Sequence, residues 1–447
     1  MDVARINFSH GDHEVHARSI DAVRRIAREE GRLVAVMADL QGPKLRVGGL
    51  PPEGVELVAG ESIVLADVPF APGHIPLPHP DILDDIKDGQ RVLLDDGQLE
   101  LVCERWTSGG LCCRVVVGGT LFSRKGVNVP GSQLNISTLT TKDRRDVRFA
   151  IEQEVDFIAL SFVRSADDIK ELRWLMSDIG SKIPIIAKIE KPEALDAFED
   201  ILAVTDGVMV ARGDLGVETP TEEVPFHQKR IIRECNLAGK PVITATQMLQ
   251  SMIERPTPTR AEASDVVNAI LDGTDAVMLS GETAVGKYPV EAARTMACVC
   301  ANAEAHLPHG QFLYNTAGPS LRSVTEAISQ ATVEIAAEVG AKAIITSTMS
   351  GATARMVARH RPNVPVIAVT PDEKTLCRMG LVWGSEPVLI PHFGTTDEMV
   401  VLMVKAAHQE GFVQRGDRVV LTAGIPFGGT GITNMLKVHV VGESGEV

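Results

Sequence analysis

The sequence predicts an α/β protein. It reads as a TIM-type β/α barrel, with a small β-barrel lid domain inserted into it and a C-terminal domain on an open α/β sheet. Three observations carry this. Short all-apolar runs alternate with helix-patterned stretches, as expected of parallel strands buried on both faces. Between about Lys44 and Pro130 that alternation stops, and short pieces such as VELVAG, RVLLDDG and LCCRVVVGG lie between Gly and Pro turns. Two of the apolar runs, Ile183–Ile189 and Gly207–Ala211, end abruptly in charge, which is how such a barrel builds a site at the C-terminal mouths of its strands.

In chain order, Val3–Phe8 is the first strand and ends in Ser9-His10-Gly11. A helix follows over His13–Glu30, with Val15, Ile20, Val23 and Ile26 as its apolar face and Gly31 as its stop. Strand Leu33–Ala38 delivers Asp39 and the turn Gly42-Pro43. The all-β insert comes next, with Asp95-Asp96-Gly97 as a hairpin turn. Emerging from a strand's C-terminal loop, it would lie over the barrel mouth as a lid.

Helix and strand then alternate. Helices Thr141–Glu152, Ala166–Met176, Glu193–Leu202, Val224–Ala238 and Arg260–Leu271 precede strands Phe157–Phe162, Ile183–Ile189, Gly207–Ala211, Pro241–Thr246 and Ala276–Leu279, and helix Val290–Ala305 closes the series. That makes seven strands, and a closed barrel takes eight, so the missing one is expected first, before Met1. The predicted boundaries are 1–43 for the first part of the barrel, 44–130 for the lid, 131–308 for the second part, 309–320 for a linker and 321–447 for the C-terminal domain. In the last, helices Val324–Val339, Thr353–His360 and Thr396–Gln409 interleave with strands Ala343–Thr346, Val366–Val369 and Arg418–Thr422.

The 447 residues suffice for about three domains. A net charge of -15 argues against nucleic-acid binding, which needs a basic footprint, so anionic substrates must be held by local cations. Seven cysteines show no zinc spacing and suit a reduced, cytoplasmic setting with buried thiols. No apolar run approaches the ~18 residues of a membrane span, and MDVARINFSHG does not resemble a signal peptide.

Lys188, Glu190 and Asp214 would gather one ammonium and two carboxylates around a point, beside Arg212 on a Gly-flanked turn. That combination suits a divalent metal next to a phosphate. A surface salt-bridge cluster is the alternative, since strand ends commonly carry charge. Met248, Met252 and Met278 read as core packing.

Along nearly the whole chain, the stretches VARINFSHG, ADLQGPKLR, KGVNVPG, IALSFVRS, IIAKIEKPEAL, VMVARGDLGVE, ITATQMLQSM, RPTPTRAEASDVVNAILDGTDAVMLSGETAVGKYP and TNMLKV occur in one order. In these the sequence resembles pyruvate kinase. The resemblance implies phosphoryl transfer from phosphoenolpyruvate to ADP, giving pyruvate and ATP, with Mg²⁺ or Mn²⁺ held by Glu190 and Asp214. It implies that Lys188 and Arg5 grip the transferring phosphate, and that Arg46 and Lys125 neutralise the nucleotide, with His10 ordering its turn or touching it. Gly213 and Asp214 would offer backbone N–H groups to the substrate carboxylate. Thr246, with Ser280 as a second candidate, would stand near the enolate carbon. The oligomer implied is a homotetramer.

Two departures from the family pattern stand out. Family members that require K⁺ hold it with residues matching Asn7, Ser9, Asp39 and a threonine where this chain has Leu40; they also carry glutamate where it has Lys44. The pair found here predicts activity without K⁺, with the Lys44 ammonium in the ion's place. The family also has a strand and helix before VARINFSHG, so a truncated or misassigned start, or a damaged relative, is expected.

In the C-terminal domain, Thr348, Ser350, Gly351 and Thr353 precede a helix, and the Gly-rich loop Gly424–Gly431 faces them in the family. A phosphorylated effector is implied there, a monophosphate rather than a bisphosphate because Met349 and Ala352 replace basic or polar residues; a simple helix cap is the alternative. Besides an active enzyme, two readings are open: an N-terminally truncated relative that only binds ligands, and a metal-dependent pyruvate aldolase or lyase. Intact Arg5, Lys188, Glu190, Asp214 and Thr246 weigh against the first, and Lys125 in the lid against the second.

Overall fold

The computed structural model describes residues 1–132, 136–307, 323–426 and 432–443. The barrel sheet holds seven parallel strands in chain order: Val3–Asn7, Ala35–Asp39, Phe157–Leu160, Ile185–Ile189, Gly207–Ala211, Val242–Ala245 and Ala276–Met278. The strands over 35–39, 185–189 and 207–211 are buried at every residue, as parallel strands covered on both faces must be. The register sets Asn7 beside Asp39 and Lys188 beside Met209, so their C-terminal ends share one rim. Gly207 allows close strand packing: a Cβ there would lie 2.7 Å from Ile186 Cδ1 and 3.0 Å from the Pro241 carbonyl.

The outer core packs Phe8, Ile20, Val36, Ile158, Ile185 and Val208 between sheet and helices, while Ala35, Met37, Phe157, Ile186, Met209 and Ile243 fill the inside. Capping boxes start the helices at Thr140 and Thr259, each satisfying two otherwise orphaned N–H groups.

The helix over His13–Glu29 departs from its predicted face: Ile20 is buried, but Val15 and Ile26 are exposed, and His16 and Ala27 are buried in their place. Stacking of His16 on Phe8 at 4.6 Å explains how a polar residue takes an inner position. The predicted helix Glu193–Leu202 is two, Pro192–Asp196 and Phe198–Val204, because the backbone leaves the helical region at Ala197.

The inserted domain is a six-stranded sheet plus a two-stranded one around Leu65, Val92, Leu101, Leu111 and Val115. It is not purely β: Pro80–Leu83 forms one helical turn. Asp95, Asp96 and Gly97 all take positive φ, the conformation the hairpin turn demands. Among its thiols Cys103, Cys112 and Cys113 are buried, whereas Cys298, on a barrel helix, is exposed.

The C-terminal sheet has five strands, in the spatial order Ser385–Leu389, Val366–Thr370, Ala343–Ser347, Arg418–Ala423 and Met435–Val440. Its two apolar faces form separate clusters, as a sheet with helices on both sides requires. The two edge strands were not expected; the last is antiparallel and only partly buried, so it lacks the apolar run that marks its neighbours.

This domain docks on the barrel. Leu381, 2% exposed, joins the cluster inside the barrel with Met37, Ile186 and Ile243. Arg361, 1% exposed, pairs with Asp275 at 3.0 Å, donates to the Gly273 carbonyl and stacks on Trp383. The predicted linker 309–320 and residues 427–431 of the Gly-rich loop lie outside the described residues. Among the described residues no helix is long and apolar enough to cross a membrane.

Candidate active site

Four strand ends build the rim. The first supplies Arg5 and Asn7, the second Asp39, the fourth Lys188 and Glu190, and the fifth leads into the short helix Arg212–Glu218 with Gly213 and Asp214 in its first turn. Lys188 Nζ lies 2.8 Å from Glu190 Oε1, 3.3 Å from Asp39 Oδ1 and 2.6 Å from Ser161 Oγ. Arg5 Nε donates to the other Asp39 oxygen at 2.6 Å. The site is therefore a buried charge network, which excludes the exposed salt-bridge alternative for Lys188 and Glu190.

Burial pushes the Asp39 carboxyl up, but the Lys188 ammonium and Arg5 guanidinium outweigh it and hold the group below the ordinary carboxylate range. Burial pulls Lys188 down, yet Asp39 and Glu190 hold its ammonium above the ordinary lysine range. Lys188 is thus a fixed positive charge and not a proton donor at neutral pH. For Glu190, burial and the facing Asp214 carboxylate win over Lys188, and the group is raised. Two acids facing each other fit a divalent cation. Among the described residues no group of three or more His, Cys, Asp or Glu is placed to hold a metal ion.

Lys44 reaches this carboxylate from the start of the inserted domain. Its Nζ lies 3.6 Å from Asp214 Oδ1 and 3.4 Å from Asp96 Oδ1. Of the residues expected around a monovalent cation, Asn7 Oδ1 accepts the Ser9 N–H at 3.1 Å, and both Asp39 oxygens have cationic partners. Leu40 is fully buried, and its hydrocarbon side chain has no oxygen to offer a cation.

Thr246 follows its strand with φ +69°, and Gln247 with +55°. Non-glycine residues are strained there. The turn is held by Arg212, which donates to the Thr246 carbonyl at 2.8 Å and pairs with Asp265 at 2.7 Å. Thr246 Oγ1 accepts the Gly213 N–H at 2.7 Å, so that N–H, expected to face the substrate carboxylate, is engaged within the protein. Ser280 donates its N–H to Glu282 at 2.7 Å on the next strand end.

On the inserted domain, Lys125 pairs with Asp95 at 2.8 Å and Arg46 donates to the Arg124 carbonyl at 2.9 Å. Neither is drawn into the Lys188 cluster, and His10 is exposed, its N–H donating to the Asn7 carbonyl at 3.4 Å. In the C-terminal domain Ser350 is exposed, Gly351 takes φ +77°, and Thr348 and Thr353 are buried; Thr433 donates to Thr353 Oγ1 at 3.1 Å.

Sequence reasoning missed Ser161, which holds Lys188, and the Phe162 N–H, which donates to Glu190 Oε2 at 2.7 Å. Phe162 has φ +55°. It missed Asp143 too, fully buried, which accepts the Gly42 N–H at 3.1 Å and caps Thr140. The Ser-Phe pair ending an apolar strand was the available signal for the first two.

The family model for the pyruvate kinase barrel domain matches residues 1–293, and that for the pyruvate kinase alpha/beta domain matches residues 326–439. A pyruvate kinase of Geobacillus stearothermophilus is 49% identical over 448 aligned residues, covering 99% of this chain and 76% of the relative. One of Clostridium acetobutylicum is 43% identical over 445 residues, covering 99% of this chain and 94% of the relative.

Proposed function

The chain belongs to the pyruvate kinase family, and from that premise we propose that it moves the phosphoryl group of phosphoenolpyruvate to ADP at the strand rim around Lys188, without needing K⁺. The observation that carries the residue assignment is the convergence of Arg5, Asp39, Lys188 and Glu190 in one buried network with Asp214 and Lys44 at its edge.

An oxygen of the ADP β-phosphate attacks phosphorus while the bond to the enolate oxygen breaks. The transferring group is anionic and spread out in the transition state, so the protein's work is positioning and charge stabilisation. Lys188, held charged by its two carboxylates, faces the phosphoryl group and the developing enolate oxygen. Arg5, braced on Asp39, grips the same group. Arg46 and Lys125 exchange their present partners for nucleotide phosphates beneath the inserted domain. A divalent cation on Glu190 and Asp214 would supply neutralising charge to substrate oxygens. The enolate carbon then takes a proton, delivered beside Thr246; its hydroxyl, fixed by Gly213, orients that transfer. That proton comes from water, so phosphoenolpyruvate, ADP and one proton give pyruvate and ATP.

Activity without K⁺ rests on the Lys44 ammonium, which already sits against Asp214. The reading extends to a cytoplasmic homotetramer, which light scattering of the purified chain would check. The decisive assay is pyruvate formation from phosphoenolpyruvate and ADP with Mg²⁺ in tetramethylammonium buffer. Lys188→Met should lower turnover by about 10²–10³; a variant as fast as the parent would overturn the assignment.

A further inference from the structure

Glu218 ends the short helix whose first turn carries Gly213 and Asp214. It is 6% exposed, and its Oε1 accepts from Asn128 Nδ2 at 2.6 Å and from Lys191 Nζ at 2.6 Å. Asn128, 8% exposed, lies on the strand Val127–Asn128, near where the chain returns from the inserted domain to the barrel. Lys191 directly follows Glu190. One carboxylate thus ties together the inserted domain, the loop behind one metal-facing acid and the helix that carries the other. Asn128 and Lys191 also line a small cleft between the two domains, with Lys44, Phe162 and Arg164.

We propose that Glu218 is a positioning residue for the reaction: a latch that holds the inserted domain closed and transmits that closure to Glu190 and Asp214. The inference rests on the reading that the inserted domain covers ADP. Its physical basis is the burial of both partners. Swinging the domain away parts Asn128 from Glu218, and two enclosed polar groups then lose a hydrogen bond that only entering water could replace. The same swing leaves the Lys191–Glu218 pair alone to keep the two acids in register. At the hairpin tip Gly97 closes on Val217, the neighbour of Glu218: a Cβ added to that glycine would lie 3.8 Å from Val217 Cγ1. The contact at the mouth and the bond at the return strand therefore engage one helix end together.

The test uses the full chain with Asn128→Ala, Glu218→Ala, Glu218→Gln and the Asn128→Ala/Glu218→Ala pair, reading kcat and KM for ADP and for phosphoenolpyruvate beside a urea unfolding midpoint. A latch predicts that Asn128→Ala and Glu218→Ala each lower kcat/KM for ADP by about tenfold or more, with a smaller change in KM for phosphoenolpyruvate. It predicts that the double variant is little worse than Glu218→Ala, since both break one bond. Glu218→Gln, which keeps an acceptor for Asn128, should recover part of the loss. A merely structural strut would shift the urea midpoint and leave both KM values in place. That result overturns the proposal, and if Glu218→Ala fails to fold, Asn128→Ala decides alone. Parent chain that forms no pyruvate from phosphoenolpyruvate and ADP would instead sink the underlying reading and the latch with it.

Discussion

Replacing Lys44 with alanine tests how the site manages charge. Its Nζ stands 3.6 Å from Asp214 Oδ1. At an effective dielectric of ~20, two unit charges at that distance interact by about 5 kcal/mol. The two side chains are 25% and 31% exposed, so solvent screening removes part of it, and about half is a fair remainder. An ammonium that offers the transferring phosphoryl group a comparable ~2.5 kcal/mol in the transition state is worth a factor of about 10² in rate. Lys44→Ala should therefore lose about 10²-fold in turnover in tetramethylammonium buffer, and K⁺ should restore part of it by supplying the missing charge. The assay couples pyruvate formation to its reduction and compares the two cations on parent and variant. A parent enzyme stimulated several-fold by K⁺, or a variant that keeps full rate in tetramethylammonium, would refute the reasoning.

Three further outcomes are expected. Asp143→Ala removes the acceptor for the Gly42 N–H and half of a capping box, and should cost about 2–3 kcal/mol by urea unfolding. Arg361→Ala leaves Asp275 without its buried partner and should destabilise docking of the C-terminal domain by about 3–5 kcal/mol, visible as a split unfolding transition. Asp156, whose carboxyl accepts the Val36 N–H, is pushed up by burial despite Arg378, Arg24 and Lys374. A pKa raised in the fold means that stability is lost as pH rises through it. Asp156→Asn should therefore stabilise the chain at pH 7 more than near pH 4, and equal gains at both would contradict the assignment.

Much of the fold was legible because its signals are local. Apolar runs such as IIAKI and GVMVA are buried at every position; of the charges that end them, Lys188 pairs with Glu190, whereas Arg212 turns to Asp265 and the Thr246 carbonyl. The inserted domain announced itself by losing helical periodicity. What the chain did not disclose depends on distant partners. Nothing near Glu218 in sequence points to Asn128, 90 residues away, and nothing near Asp143 points to Gly42, 101 residues away. The pairing of Arg5 with Asp39 follows only once strands register. The outward turn of Val15 and Ile26 was hidden for another reason: periodicity counts apolar residues but cannot see that a histidine will stack on Phe8 and take the inner face. The antiparallel edge strand Met435–Val440 was missed because an edge needs no continuous apolar run.

Leu381 gives the molecule a shared keel. It belongs by sequence to the C-terminal domain, yet its side chain sits among Ala35, Met37, Phe157 and Ile243 inside the barrel. The floor of the catalytic domain is thus laid by its neighbour. A barrel excised before residue 320 would carry a leucine-sized hole among those side chains, and a void of that kind costs about 2–5 kcal/mol. Chimeras that exchange C-terminal domains between relatives therefore have to match this one side chain as well as the junction. Selection acting on the sheet of one domain is, at this point, selection on the packing of the other.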